Sequence, residues 1–155
     1  MAKVMLILNY KNESGEKIGD VFFKKILGKF EKVLSACAAE IGLTLIKDSH
    51  IKRLNRDYRG KDMATDVLSF AYLEDEPGGA VRASVRPLTG DAPFIVGDIF
   101  ISVETAKRQA KSHSHSLKKE LEILFVHGLL HLFGFGHETD SEEEEMENFA
   151  KKILS

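Results

Sequence analysis

The stretch His127-Gly-Leu-Leu-His131-Leu-Phe-Gly134-Phe-Gly-His137 carries three of the chain's six histidines, the first two four residues apart. On a helix that spacing sets two imidazoles on one face, one turn apart. Two nitrogens so placed close on a single metal ion, and Zn²⁺ is the usual occupant of such a pair. Gly134 is expected to end the helix in a left-handed turn that swings His137 back as a third ligand. Three histidines leave a fourth position open, which separates a catalytic zinc site from a closed structural one. The competing reading is a buried helix whose histidines bond backbone carbonyls.

The stretch also lacks something. In zinc peptidases of the pattern H-E-x-x-H-x-x-G-x-x-H the glutamate is the general base. Gly128 stands in that slot and takes no proton. The ligand spacing therefore points to hydrolysis of something other than a peptide.

Working outward, Leu117, Leu121, Leu124, Phe125, Leu129 and Leu132 make the same helix apolar around most of its circumference. Such a helix is a core element, which would hold His127 and His131 at a rigid, partly dry place. Helices are predicted at about 103–112, 117–134 and 140–153, the last opened by Thr139-Asp-Ser-Glu142 at capping-box spacing. Upstream, Val4 to Leu8 is a continuous apolar run, read as a strand buried on both faces. Ile26, Phe30, Val33 and Cys37 recur at helical spacing, so an amphipathic helix is expected over about 20–40, with Cys37 a small buried residue on its face. Leu43 and Leu45 alternate with Thr44 in a second strand reaching Lys47. Ser49 is the expected N-cap of a short helix with Ile51, Leu54 and Tyr58 inward, ending at Gly60.

Two more strands are read at Thr65–Leu73 and Phe94–Ser102. Within the second, Gly97-Asp98 marks a bulge or a close approach. Between them, Glu74 to Pro93 holds three glycines and all three prolines, a long loop. The order β-α-β-α-β-β-α-α-α predicts one α+β domain over 1–155. It is a mixed sheet of about four strands with helices packed on it, including a metzincin-like zinc helix.

Composition bounds the rest. The chain has 155 residues, 43% hydrophobic and 30% charged, with a net charge of −2, ordinary for one globular domain. Overall balance announces no nucleic-acid binder, so a polyanion site has to come from local clustering. No segment approaches the ~20 apolar residues of a membrane span, and the opening Met1 to Asn9 is too short an apolar run for a signal peptide. Cys37 is the single cysteine, so no intrachain disulfide forms and a cytoplasmic setting is expected.

A local basic cluster does exist. Arg53, Arg56 and Arg59 are spaced by three, and Lys61 extends them. They form either a strip that binds phosphates, with one arginine offered to a charged transition state, or a solvated helix end whose cations suit the dipole. The first reading requires the strip to face the histidines. Asp66 and Asp98 lie within apolar strands, where an ionised group needs partners. Each either orients a metal ligand or caps a turn. Glu138 beside His137 is a candidate proton relay. His50, and His113 and His115 in a Ser-rich linker, are read as surface residues without a helical partner.

His127-Gly-Leu-Leu-His-Leu-Phe-Gly-Phe-Gly-His-Glu138 resembles the H-G-x-L-H-L-x-G-[Y/F]-D-H-x signature of the YbeY endoribonuclease family, the bacterial rRNA maturation factors. Leu54-Asn-Arg-Asp-Tyr-Arg-Gly-Lys61, Thr65-Asp-Val-Leu-Ser-Phe70 and Gly97-Asp-Ile-Phe-Ile-Ser102 agree with it in order and spacing. The likeness runs from about Ile51 to the C-terminus and covers the first 50 residues only in outline. It implies an α+β fold and one zinc ion per chain on His127, His131 and His137. It also implies metal-dependent cleavage of single-stranded RNA in maturation of the 16S rRNA 3′ end and in ribosome quality control. The family's functional arginine corresponds to Arg59. Implied partners are rRNA and the small ribosomal subunit, with a ribosomal protein and an assembly GTPase. Gly136 departs from the family's usual aspartate, and the 74–93 loop is longer than its usual connection.

The leading expectation is a zinc-dependent endoribonuclease with Arg59 stabilising charge on phosphorus and Arg53, Arg56 and Lys61 holding the RNA backbone. The alternatives are a non-catalytic assembly factor stiffened by zinc and a metzincin-like peptidase.

Overall fold

In the computed structural model, residues 4–32, 37–72, 94–134 and 139–154 are described. Their elements follow the predicted order: β1 (Val4–Asn12), α1 (Asp20–Glu31), β2 (Cys37–Ile46), α2 (Asp48–Arg59), β3 (Val67–Ala71), β4 (Phe94–Ser102), α3 (Val103–Ser112), α4 (Leu117–Leu132) and α5 (Asp140–Leu154). The strands form one mixed sheet in the order β1-β2-β4-β3, with β1·β2 and β2·β4 parallel and β3·β4 antiparallel. This is the expected α+β arrangement. No helix among the described residues is long and apolar enough to cross a membrane.

Side-chain alternation sorts the helices onto two faces. On one face Leu6, Ile41, Leu43, Leu45, Ile99 and Ile101 meet Phe23, Ile26, Leu27 and Phe30 of α1, the buried side of α4, and Met146, Ala150 and Ile153 of α5. Phe125 of α4 is fully buried and meets Phe23 edge-on at 5.3 Å, a packing whose loss to alanine costs about 3–5 kcal/mol. On the other face Ile51 and Leu54 of α2 cover Ile46, Leu68, Phe70 and Phe100. Among the described residues, helix α2 is thus the one helix covering the face opposite the main core.

The register of β4 contains the expected irregularity. Glu40 pairs with Ile95 and Ile41 with Gly97, so Val96 is the extra residue of a bulge. An extra residue inverts the alternation. Val96 can therefore share the core with Ile99 and Ile101 although it is an odd number of positions from both. Gly97 is also a close approach: a Cβ there would strike the Phe70 carbonyl oxygen and come within 2.7 Å of Leu132.

Several boundaries differ from the sequence reading. Helix α1 stops at Glu31, and Cys37 opens β2 instead of continuing the helix. Cys37 leaves the helical period because it pairs with Val4 at the start of the parallel β1·β2 ladder; Val33 lies outside the described residues. Ser49 lies inside α2, whose N-cap is Lys47. Strand β1 is an edge strand and is not buried on both faces, with Met5 42% exposed. Tyr58 is not inward but 68% exposed.

The start of α2 is anchored by a polar cluster. Asp48 Oδ1 accepts hydrogen bonds from the Ser102 and Thr105 hydroxyls, both at 2.6 Å, and Asp48 Oδ2 pairs with Arg108 at 2.9 Å. Its backbone N–H donates to Glu104 at 2.8 Å. Burial alone would raise the Asp48 carboxyl. The hydrogen bonds from Arg108, Ser102 and Thr105, with the charge of Arg108, outweigh that and hold it below its ordinary value. Helix α2 and the α3 N-terminus are thereby fixed to one another.

Candidate functional site

Helix α4 is buried around most of its girth, and the histidines occupy the part that is not. Val126 and Gly128 on either side are buried, whereas His127 is exposed and His131 half-buried. After Leu132 the chain turns as expected: the Gly134 N–H donates to the His131 carbonyl at 3.1 Å, and Gly134 takes φ 91°. His137, with Gly136 and Glu138, lies outside the described residues, as does the 74–93 loop.

Gly128 has a packing role that the sequence did not disclose. A Cβ at this position would come within 2.9, 3.0 and 3.2 Å of three side-chain carbons of Ile99, itself fully buried on the sheet. The slot that holds a glutamate in zinc peptidases therefore faces the core here. The close approach of backbone to sheet is what glycine allows.

Arg59 reaches this helix through β3. Its guanidinium donates to the Ser69 carbonyl at 2.7 Å and lies 5.2 Å from the centre of the Phe70 ring. The Ser69 hydroxyl in turn donates to the Gly128 carbonyl at 3.4 Å, one residue beyond His127. Two hydrogen bonds so join the C-terminus of α2 to the histidine helix by way of β3. The αL residue Gly60, at φ 71°, and Asn55 set up this placement. The buried Asn55 amide donates to the Met63 carbonyl at 2.9 Å and pins the turn that leads into β3. Asn55 and Ser69 were not singled out by the sequence reading, because each acts through a contact distant along the chain.

The remaining basic residues are exposed. Arg53 lies on the side of α2 opposite the buried Ile51 and Asn55. Arg56 pairs with Asp57 at 3.0 Å, and that hydrogen bond raises its pKa further. Lys61 is exposed beyond the helix end. Asp66 caps a turn: one oxygen accepts from the Val67 N–H at 2.7 Å, the other from Gln109 at 3.2 Å. Asp98 accepts from the Tyr72 hydroxyl, which raises the pKa of that tyrosine.

A second group of metal-type donors stands at the α3–α4 turn. His113, His115 and Glu120 place one ligand atom each within 4.8 Å of one another and could hold a metal ion. His113 is exposed as expected, but the expectation that the two histidines lack a helical partner is corrected. His115 is half-buried, and both meet a glutamate on α4.

The model of the family described as Endoribonuclease YbeY matches residues 8–155. The chain belongs to the YbeY endoribonuclease family. An Endoribonuclease YbeY of Bacillus licheniformis is 41% identical over 158 residues, spanning 97% of this chain and 94% of that protein. One from Geobacillus sp. strain WCH70 is 47% identical over 116 residues, 75% of this chain and 71% of the relative. The solution structure of TM1509 from Thermotoga maritima shares the fold at a TM-score of 0.57 and 22% identity, covering 96% of this chain and 89% of the other.

Proposed function

We propose that this chain is a metal-dependent endoribonuclease that cleaves single-stranded RNA, with its place in maturation of the 16S rRNA 3′ end and in ribosome quality control. The observation that carries this reading is the link from Arg59 through Ser69 to Gly128, which ties the basic helix end to the histidine helix.

His127 and His131 fit a zinc ion by chemistry and position: two imidazoles one turn apart on a rigid helix, one exposed and one half-buried, with a left-handed turn at Gly134 closing the helix. All three histidines would hold the ion. When bound, zinc supplies Lewis acidity to water and to a phosphoryl oxygen at neutral pH. The protein's own part falls to Arg59. Its Ser69 bond engages one of five N–H donors and fixes the plane of the guanidinium. The other donors remain for the phosphoryl oxygens on which negative charge grows. Arg53, Arg56 and Lys61 hold flanking phosphates, which makes binding weaken as salt rises. The partners would be rRNA and the small ribosomal subunit, with a ribosomal protein and an assembly GTPase, in the cytoplasm.

Gly128 argues against peptidase chemistry, since a side chain there would point at Ile99 and not at a substrate. The test uses a precursor 16S rRNA 3′ fragment with zinc-loaded protein, a chelated sample, His131→Ala and Arg59→Ala. Cleavage by the loaded wild type alone, with zinc still bound by Arg59→Ala, is the expected result. Equal cleavage in every tube, or none in any while RNA binding survives chelation, refutes the reading; the second outcome indicates a zinc-stabilised assembly factor.

A further inference from the structure

We propose that His113, His115 and Glu120 form a second metal site, for a zinc-class divalent cation, that clamps the end of α3 to the start of α4. It is separate from the ion expected on the histidine helix. Glu120 lies seven residues before His127 on α4, about 10 Å along the axis. That is too far for two ions sharing one phosphate, which stand roughly 4 Å apart. The role of this site is therefore to position the helix.

The backbone builds it deliberately. Helix α3 ends in a Schellman turn, with the Ser114 N–H on the Lys111 carbonyl at 3.2 Å and the His115 N–H on the Ala110 carbonyl at 3.0 Å. The residue in the left-handed conformation, Ser114 at φ 56°, is one where glycine is usual. Among the described residues it is the one non-glycine with positive φ. The turn puts His113 and His115 side by side, ring centres 5.5 Å apart, facing the first turns of α4. There Ser116 caps the helix by accepting from the Lys119 N–H.

Glu120 supplies the reason for a cation. Its side chain is 4% exposed, and among the described residues its ionic partners are the two histidines. A buried carboxylate stands only with compensating charge or hydrogen bonds. One oxygen, Oε1, lies 3.4 Å from His113 Nδ1 and 2.7 Å from His115 Nε2. A tetrahedral ion with bonds of about 2.1 Å sets its ligand atoms about 3.4 Å apart. The first distance already matches that edge, and the second is a hydrogen bond that must open by about 0.7 Å. On binding, His115 carries its proton on Nδ1 and turns the bare Nε2 to the ion. Two imidazoles and one carboxylate select zinc-class ions over Mg²⁺ or Ca²⁺. His113, with 60% of its side chain exposed, is free to close.

The experiment uses full-length protein stripped of metal and titrated with Co²⁺, read by its visible absorption, and with Zn²⁺, read by the rise in Tm. His131→Ala disables the expected catalytic site and is compared with His131→Ala/His113→Ala and His131→Ala/His115→Ala. The expected result is one tight Co²⁺ equivalent and a Zn²⁺-dependent rise in Tm for His131→Ala, both lost in the double variants. Because His113 is exposed, its truncation leaves the fold intact. Equal cobalt spectra and equal Tm responses in His131→Ala and the His113 double variant overturn the proposal. His113→Ala alone, retaining one equivalent and metal-dependent RNA cleavage, separates this site from the catalytic one.

Discussion

Replacing Gly128 with alanine probes the packing of the histidine helix on the sheet. The added methyl would sit 2.9–3.2 Å from Ile99 carbons, and Ile99 is fully buried, so it has no solvent side to retreat to. Overpacking of this kind costs about 1–3 kcal/mol. Alanine returns about 0.5–1 kcal/mol through its higher helix propensity. The net expectation is a destabilisation of about 1 kcal/mol, a fall in Tm of roughly 2–4 °C for a domain of this size. The compensating background is Ile99→Ala, which alone costs about 2–5 kcal/mol. With the Ile99 carbons gone, Gly128→Ala becomes stabilising by up to about 1 kcal/mol, so the two changes couple by about 2 kcal/mol. Thermal and urea unfolding of the four proteins in the cycle measures this. A Tm at or above wild type for Gly128→Ala alone, or a cost unchanged in the Ile99→Ala background, refutes the reasoning.

Arg59→Ala is expected to lower RNA cleavage by about 10²–10³-fold with zinc content unchanged; undiminished cleavage removes Arg59 from the mechanism. The triple change Arg53→Ala/Arg56→Ala/Lys61→Ala is expected to flatten the dependence of RNA affinity on salt, by a slope of about 0.7 per lost phosphate contact; an unchanged slope places the backbone contacts elsewhere. Gly97→Ala is expected to destabilise more than Gly128→Ala, since its Cβ meets the Phe70 backbone oxygen, which cannot rotate away; the ranking of the two Tm values decides. Asp48 titrates below its ordinary value when folded, so its contribution is fully present above the ordinary carboxylate range, about pH 4, and is lost as pH falls through the lowered folded value. Asp48→Asn is therefore expected to flatten the acid limb of Tm between about pH 5 and 3. An acid limb as steep as wild type contradicts that assignment.

Much of this protein is written locally. Hydrophobic period and turn residues placed all nine elements of the described residues in order. They also found the helix end at Gly60, the left-handed turn at Gly134 and the irregular strand at Gly97-Asp98. The histidine pair and the arginine cluster were equally legible, since each is a spacing on one helix. What failed failed for one reason. Cys37 obeys a helical period but pairs with Val4 in the β1·β2 ladder. Tyr58 shares the period of the buried Ile51 yet stays 68% exposed, with Phe70 edge-on to its ring at 5.4 Å.

Residue pattern was enough for the order of helices and strands, for the apolar side of most of them, and for candidate metal and phosphate ligands. Each of those is a property of residues within a few positions of one another. It took long-range packing for Ser69 to carry Arg59 to the histidine helix, for Gly128 to meet Ile99, and for Glu120 to draw two linker histidines together. The first two join segments tens of residues apart, and the third depends on how a turn between two helices folds back. A hydrophobic period specifies that a face will be buried, but not against what; the partner is chosen when the sheet and helices pack.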